Sequence, residues 1–498
     1  MPSPTSGSIF SVFSPSGTAN IDALLGGTRW GPTASGAGLT VSYSFPVASS
    51  VWSEAQGLGY GAQGGSGQPW NHFQALTPAQ QTEVRSIFAM ISSFTSLKFA
   101  EVADNAASAG DIRLAFSGAL ADGVAGMAYF PQGYYSTSTF QGTSSPSAGD
   151  IWLNAATASS FSGAPGSHSS LTLIHEIGHS LGLKHTFESY GNFGVLTSGY
   201  DTYGYSVMSY SAIAGDPNST MSYYPTTLMS YDVYALQYLY GKNTSYNATD
   251  TTYTFYATKP YNQVIWDAGG NDTIVYESAS GACSINLAAG SWQSLGKPLT
   301  YQSATTSYAQ PATVQILAGV TLENATGGEG ADTLSGNAAA NRLLGRGGND
   351  RLNGGAGSDT LDGGAGSDSL SGGDGKDTLI GGLGADRLTG GTGADRFDFN
   401  ALAELGLASA ARDTITDFKT SEGDKIDLLG VDADTALAGN QAFTFLGVVS
   451  TFTGNATGQL RFAAVSHILY GSTDADTAAE FAITLTGVSS LSSADLVL

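Results

Sequence analysis

Eleven consecutive residues near the middle of the chain carry the strongest chemistry: His175-Glu176-Ile177-Gly178-His179-Ser180-Leu181-Gly182-Leu183-Lys184-His185, an HExxHxxGxxH pattern. Two histidines four apart on a helix share one face, about 6 Å apart along its axis, which suits two ligands of one tetrahedral Zn²⁺. Gly182 can end such a helix in a left-handed conformation, so that the chain turns and His185 returns as a third ligand. Three protein ligands leave a position open, as catalytic zinc sites do. Glu176, beside the first histidine, is placed to act as general base toward a water while the metal polarises a carbonyl. Three of the chain's six histidines sit in this one motif.

A second pattern fills residues 327–398, where a nine-residue unit occurs eight times without a gap and six copies match GGxGxDxUx in full, U being large and apolar. The sixth position holds Asp332, Asp350, Asp359, Asp368, Asp377, Asp386 and Asp395, with Asn341 in the second copy; the eighth runs from Leu334 to Phe397. Glycines at the turns permit positive φ and aim carbonyls inward, and a short strand carries the U residue into a shared interior. The turn glycines of the full central copies are Gly354, Gly355, Gly357, Gly363, Gly364, Gly366, Gly372, Gly373, Gly375, Gly381, Gly382 and Gly384. Their carbonyls and the aspartate carboxylates make hard-cation sites that suit Ca²⁺. Two nonapeptides form one coil, so eight make about four coils of a right-handed parallel β-roll. Without an ion the aligned aspartates repel and the glycine-rich backbone buries too little to offset its entropy, so folding should be coupled to calcium. Asn341 and Arg346 degrade two copies, and fewer ions than copies are expected. Asp267 to Asp272 (DAGGND) reads as an isolated partial copy and a further candidate calcium site.

The elements that must position these groups follow from patterning. Thr77 can cap a helix whose first residue is Pro78, and Val84, Ile87, Phe88 and Ile91 recur at helical spacing. Leu171–Leu183 reads as a second helix and Tyr231–Tyr240 as a third, with short strands at Thr40–Phe45, Asp111–Phe116, Ala125–Phe130 and Asp150–Leu153. Strands among a few long helices indicate an α+β or α/β first half ending near Gly241. At 498 residues the chain has room for about two to four domains. Forty-one carboxylates against 18 basic residues give a formal charge of −23, which argues against nucleic acid or anionic lipid as a partner. The single cysteine, Cys283, excludes an intramolecular disulfide. No apolar run approaches the ~20 residues that span a bilayer, and the first basic residue is Arg29, so an N-terminal secretory signal is not expected.

HExxHxxGxxH followed by Ser206-Val207-Met208-Ser209-Tyr210 resembles the metzincin zinc proteases with their Met-turn, and the calcium repeats narrow the resemblance to the serralysin family. The similarity extends to IDALLGGTRWG (21–31), YSFP (43–46), ALQYLYG (235–241), DAGGNDT (267–273) and DKIDL (424–428). It implies an α+β metzincin-like catalytic domain of mixed sheet and long helices at 21–241. An all-β parallel β-roll and β-sandwich domain would follow at 242–498, with the roll at 327–398 and a secretion region at 399–498. By the same resemblance Met208 would form an apolar floor beneath the zinc, and Tyr210 would be a further ligand or an oxyanion donor. The strand near Ala125–Pro131 would be the edge on which an extended protein substrate pairs. The family also implies a propeptide within residues 1–20, a C-terminal signal (Asp495-Leu496-Val497-Leu498) read by an ABC-type type I exporter, extracellular location, a monomer, and, for some relatives, a proteinaceous inhibitor. Thr186 stands where the family usually has proline, and Phe187–Tyr203 departs from the family's loop. The alternative, a calcium-dependent surface protein keeping an inactive protease-like domain, is weakened by intact His175, Glu176, His179, His185 and Met208.

Overall fold

A computed structural model describes residues 9–32, 38–53, 60, 69–136, 140–159, 161 and 164–498. Residues 1–8 of the expected propeptide lie outside the described residues. The chain forms two compact units: Met1–Tyr246 with 260–268 and 298–315, and the remaining segments of 247–498. Among the described residues no helix is long and apolar enough to cross a membrane.

The first unit is α+β. Helix Pro78–Phe94 starts where the capping signals put it: Thr77 accepts from the Gln80 backbone N–H (3.4 Å) while Gln80 Oε1 accepts from the Thr77 backbone N–H (2.8 Å). Its buried stripe of Val84, Ile87, Phe88, Ile91 and Phe94 faces a six-stranded mixed sheet, with Phe88 stacked on Phe99 and tilted on Tyr43. Strands Lys98–Glu101, Thr40–Ser44, Ile112–Ser117 and Ile151–Asn154 run parallel, and Gly126–Ala128 closes the order antiparallel to Ile151–Asn154 as the edge. Helix His168–Ser180 begins a turn earlier than its apolar period predicts, because Ser167 caps it by accepting from Ser170 N (3.1 Å). It also stops earlier, at Ser180, since Gly182 takes φ +100°. Helix Ser230–Tyr240 is the third.

The second unit contains the roll. Strands pair in parallel with a register of 18 residues, two nonapeptides: Leu334 with Leu352, Leu370 and Leu388 on one sheet, Leu343 with Leu361, Leu379 and Phe397 on the other. All eight of these side chains are at most 1% exposed and form the interior that the fixed apolar position predicts. The stack continues past the last nonapeptide, with Ile415 paired to Leu388, Ile426 to Phe397, and Leu496 to Ile426. Sequence periodicity misses these strands because loops of other lengths separate them. A meander of Gln459–Ala463, Ile468–Ser472 and Phe481–Leu485 joins the stack through Leu485, beside Ile415.

Candidate metal centre

Two of the motif histidines are oriented by what their other ring nitrogen meets. His175 Nδ1 lies 2.8 Å from the carbonyl of Val207, and His179 Nδ1 lies 2.6 Å from that of Leu183. A carbonyl only accepts, so both Nδ1 atoms carry the hydrogen and both Nε2 atoms present lone pairs. Those lone pairs converge: His185 Nε2 sits 3.1 Å from His179 Nε2 and 3.2 Å from His175 Nε2. Burial lowers the His175 pKa to about 4, opposed by the Val207 carbonyl and aided by His185 and His168, and it lowers that of His179 as well. Three imidazoles with their Nε2 atoms aimed at one point are a donor set for a divalent cation, and the Nδ1–carbonyl bonds of His175 and His179 are the outer partners that hold such ligands. The residues therefore fit the zinc that the motif implies.

Two distant segments make this geometry. Beneath the histidines, Met208 is fully buried, and its sulfur lies where a Cβ on Gly178 would come within 2.7 Å, so the helix needs glycine between its two ligands. The Met-turn is pinned by Asp232 on helix Ser230–Tyr240, whose carboxylate accepts from Ser206 Oγ (2.6 Å), Val207 N (2.8 Å) and Met229 N (2.9 Å). Burial pushes this carboxyl up to about 7 against those three donors. The return to His185 is held by the segment 21–31: Gly26 N donates to Gly182 O (2.8 Å), Lys184 N to Leu24 O (2.8 Å), and Trp30 Nε1 to Ser180 O (2.9 Å). Gly182 is doubly required, for its φ and because a Cβ there would sit 2.3 Å from the Thr28 carbonyl. The buried Lys184 ammonium donates to the carbonyls of Ala23, Glu188 and Gly194, fastening the loop after His185. That loop, expected from the sequence to depart from the family's pattern, makes contacts of its own around His185. Thr186 Oγ1 donates to Asp201, Phe187 stacks on His185 (5.1 Å, 7°), and Glu188 Oε1 lies 3.0 Å from His185 Nδ1, off the hydrogen-bond direction.

Glu176 is 6% exposed and burial pushes its carboxyl up to about 8. Its carboxylate lies against the edge strand: a Cβ on Gly126 would come within 2.8 Å of Oε1. Nothing in the sequence marks Gly126, because the requirement comes from a helix 50 residues away in the chain. Tyr210 is 46% exposed and its hydroxyl lies 2.8 Å from His185 Nε2, in the focus of the three rings. Burial first, then Glu176 and Glu188, push its pKa up to about 12. A GxSxG spacing, Gly178 to Gly182, runs from the end of the motif helix into the turn after it; Ser180, the last helical residue, is buried and donates to Ile177 O (2.8 Å), so it is not the exposed serine of a nucleophile elbow.

In the roll each aspartate caps the strand one coil earlier. Asp350 Oδ1 accepts from Asp332 N, Asp368 from Asp350, Asp386 from Asp368, and on the other face Asp377 from Asp359 and Asp395 from Asp377, at 2.7 to 3.0 Å. The second oxygens of Asp350, Asp359, Asp368, Asp377, Asp386 and Asp395 are buried without a hydrogen-bond partner among the described residues. A buried unpaired carboxylate oxygen is costly, and burial duly raises all six carboxyls, that of Asp350 to about 7. These oxygens are what Ca²⁺ would satisfy. Asp332 differs, since its Oδ2 accepts from Gly328 N (2.6 Å), and Asn341 closes the same way on Asn337 N (2.7 Å). The first glycine of each unit is needed for close approach: a Cβ on Gly354, Gly363, Gly372 or Gly381 would lie 2.3 to 2.5 Å from the unit's own Oδ2. Positive φ belongs to the second and fourth positions, as at Gly355, Gly357, Gly364, Gly366, Gly373, Gly375, Gly382 and Gly384. Asp413 and Asp424 extend the ladder beyond the repeats by accepting from Asp386 N and Asp395 N. Asp267 and Asp272 fall in different units; Asp272 Oδ1 accepts from Thr251 N (2.8 Å).

Comparison with known proteins reaches both regions of the chain. Residues 71–195 match the matrixin family model, residues 170–258 a Met-zincin model, and residues 232–498 the model for the C-terminal part of peptidase M10 serralysins. Metallopeptidase AprA of Pseudomonas marginalis is 34% identical over 187 residues, 33% of this chain and 36% of that protein. Serralysin C of Dickeya chrysanthemi is 34% identical over 180 residues, covering 33% and 35%. The matched stretch thus spans about a third of the length of these curated relatives. A solved subunit of the Azotobacter vinelandii mannuronan C5-epimerase aligns with 36% of this chain and 81% of its own at 24% identity, with a TM-score of only 0.21. With three converging histidines over a buried methionine, an Asp/Gly ladder, and a serralysin C-terminal model covering more than half of its length, the chain belongs to the serralysin family of peptidase M10.

Proposed function

We propose that the chain is a secreted zinc-dependent endopeptidase that cleaves protein substrates, with a calcium-bound roll that serves folding and export. The observation that carries the catalytic part is the meeting of three Nε2 atoms, two of them on rings whose Nδ1 atoms donate to the carbonyls of Val207 and Leu183. Zinc held by His175, His179 and His185 would supply a Lewis acid that acidifies water and polarises a peptide carbonyl. Glu176, beside that focus and sheltered from solvent, takes a proton at its carboxylate and returns it to the leaving amine. Tyr210, already directed at the focus, serves as a further ligand or as an oxyanion donor. The free edge of Gly126–Ala128 runs past Glu176, so a substrate paired to it antiparallel gains backbone hydrogen bonds with little demand on its sequence.

The six unpartnered aspartate oxygens support the calcium reading. An array that cannot fold where calcium is scarce would pass a type I exporter unfolded and be trapped outside once it folds. A propeptide within residues 1–20, a monomeric state, and sensitivity to a proteinaceous inhibitor complete the proposal.

The test is hydrolysis of an unfolded protein in millimolar calcium by untreated enzyme, by chelator-stripped enzyme given back calcium with and without zinc, and by Glu176→Gln. Zinc should restore cleavage, and the variant should lose about 10²- to 10⁴-fold, the range for a general base. Cleavage that persists in stripped enzyme, or a variant as active as the parent, would sink the proposal.

A further inference from the structure

One face of helix His168–Ser180 forms the floor of a cleft of about 420 Å³: His168, Leu171, Thr172, His175 and Glu176 all line it, repeating at helical spacing. From His175 back to His168 is seven residues, about 10 Å along the axis, so the cleft leads away from the histidine cluster along the start of the helix. Ala125 and Gly126 of the edge strand form one wall, and Tyr203, Val207 and Pro217 contribute to the other. Beyond lies a second cleft of about 260 Å³, lined by Thr157, Phe161, Ser167 and Ser169. Ala125, His168 and Thr172 line both. Of these three only His168 carries a large side chain, exposed at the helix start with its ring edge-on to Tyr224 at 5.3 Å.

We propose that His168 is the specificity-determining residue that ends the first cleft, limiting it to neutral, chiefly apolar side chains of up to aromatic size on the leaving side of the scissile bond. The inference rests on the endopeptidase reading. Leu171, Val207, Ala125 and Pro217 supply apolar walls, while no Arg, Lys or Asp lines the cleft and its one carboxylate, Glu176, stands at the mouth beside His175. A charged side chain reaching inward would be desolvated with no Arg, Lys, Asp or Glu in the depth to pair with it. Truncating His168 opens the first cleft into the second and lengthens the acceptable side chain. Enlarging the residue shortens it.

Two readouts on the full-length, zinc- and calcium-loaded protein test this in wild type, His168→Ala and His168→Trp. The first is the residue found after each cut in a digested unfolded-protein mixture. The second is the calorimetric affinity of peptide hydroxamates differing only in the side chain that enters the cleft, from valyl through leucyl and phenylalanyl to biphenylalanyl, with lysyl and glutamyl controls. Wild type should favour leucyl and phenylalanyl over both charged forms. His168→Ala should gain about tenfold for biphenylalanyl relative to leucyl, and His168→Trp should lose phenylalanyl, the scale on which apolar pockets discriminate. An unchanged ranking across the three proteins, or preference for a charged side chain, overturns the proposal. Absence of hydrolysis by wild type would overturn proteolysis instead, and the hydroxamate ranking would still decide the role of His168.

Discussion

The histidine cluster and the aspartate ladder both gather metal-ligand atoms, but they are assembled in opposite ways. The cluster is singular. Its three ligands lie within eleven residues, yet their directions are set by Val207, by Leu183, by the segment around Leu24 to Trp30 and, through the Met-turn, by Asp232. The ladder is plural and self-templating: each aspartate accepts from the backbone exactly one coil away, so every unit is completed only by its neighbours. One design places all its stability at risk on a few nonlocal contacts, whereas the other spreads it over many equivalent ones.

That difference can be broken deliberately, and the largest expected effect is calcium removal. In excess chelator the roll should lose its β-strand circular dichroism in full, because six buried carboxylates are left unpaired in a glycine-rich backbone. His179→Ala, which disables the other centre, should leave that signal in place. Equal sensitivity of the two would erase the distinction. Next comes the unit of repetition. Deleting eighteen residues, 363–380, removes one coil and keeps every later strand on its own sheet, so a folded, calcium-dependent protein should result. Deleting only nine, 363–371, transfers every later strand to the opposite sheet and should abolish calcium-dependent folding, measured by the same spectroscopy.

A smaller effect belongs to the first unit's own buried charge. Asp150 is fully buried, accepts from Tyr60 O–H (2.6 Å), and has its pKa pushed up to about 7 by burial, against Arg113 and with Asp104 adding to the rise. A folded pKa above the unfolded ~3.9 means that the group's stabilising contribution is complete below about pH 4 and is lost as pH rises through 7. Asp150→Asn should therefore flatten the decline in thermal midpoint between about pH 4 and 7, with at most roughly 4 kcal/mol at stake. A decline as steep in the variant as in the parent would assign it to other groups. Smallest is Thr77→Ala, which removes the capping box and should cost about 1 kcal/mol by chemical denaturation without altering the roll's calcium response.

What could be read beforehand follows the same division. Gly182 announces the turn that brings His185 back, and the fixed Leu or Phe in each nonapeptide announces a buried stack with two units per coil. Both are legible since the physics is local or strictly periodic. Gly126, Asp232 and Phe187 gave no signal. A glycine next to Glu176, an aspartate that pins the Met-turn, and a ring stacked on His185 acquire those roles only when segments remote in the chain meet. Asp413 and Asp424 escaped notice for a related reason, since loops of irregular length carry the ladder past its last repeat.

By itself the sequence determined which atoms could bind metal: imidazoles at i, i+4 and i+10, and a carboxylate at the sixth position of seven of the eight nonapeptides, because spacing alone sets which side chains share a face or a turn. Tertiary structure decided which of those atoms are left without partners. Asp332 and Asp350 both hold the sixth position of their units, yet Gly328 N–H satisfies Oδ2 of the first and nothing among the described residues satisfies Oδ2 of the second. Hydrogen-bond satisfaction depends on the groups that packing brings alongside, and those are not encoded in the spacing of the motif.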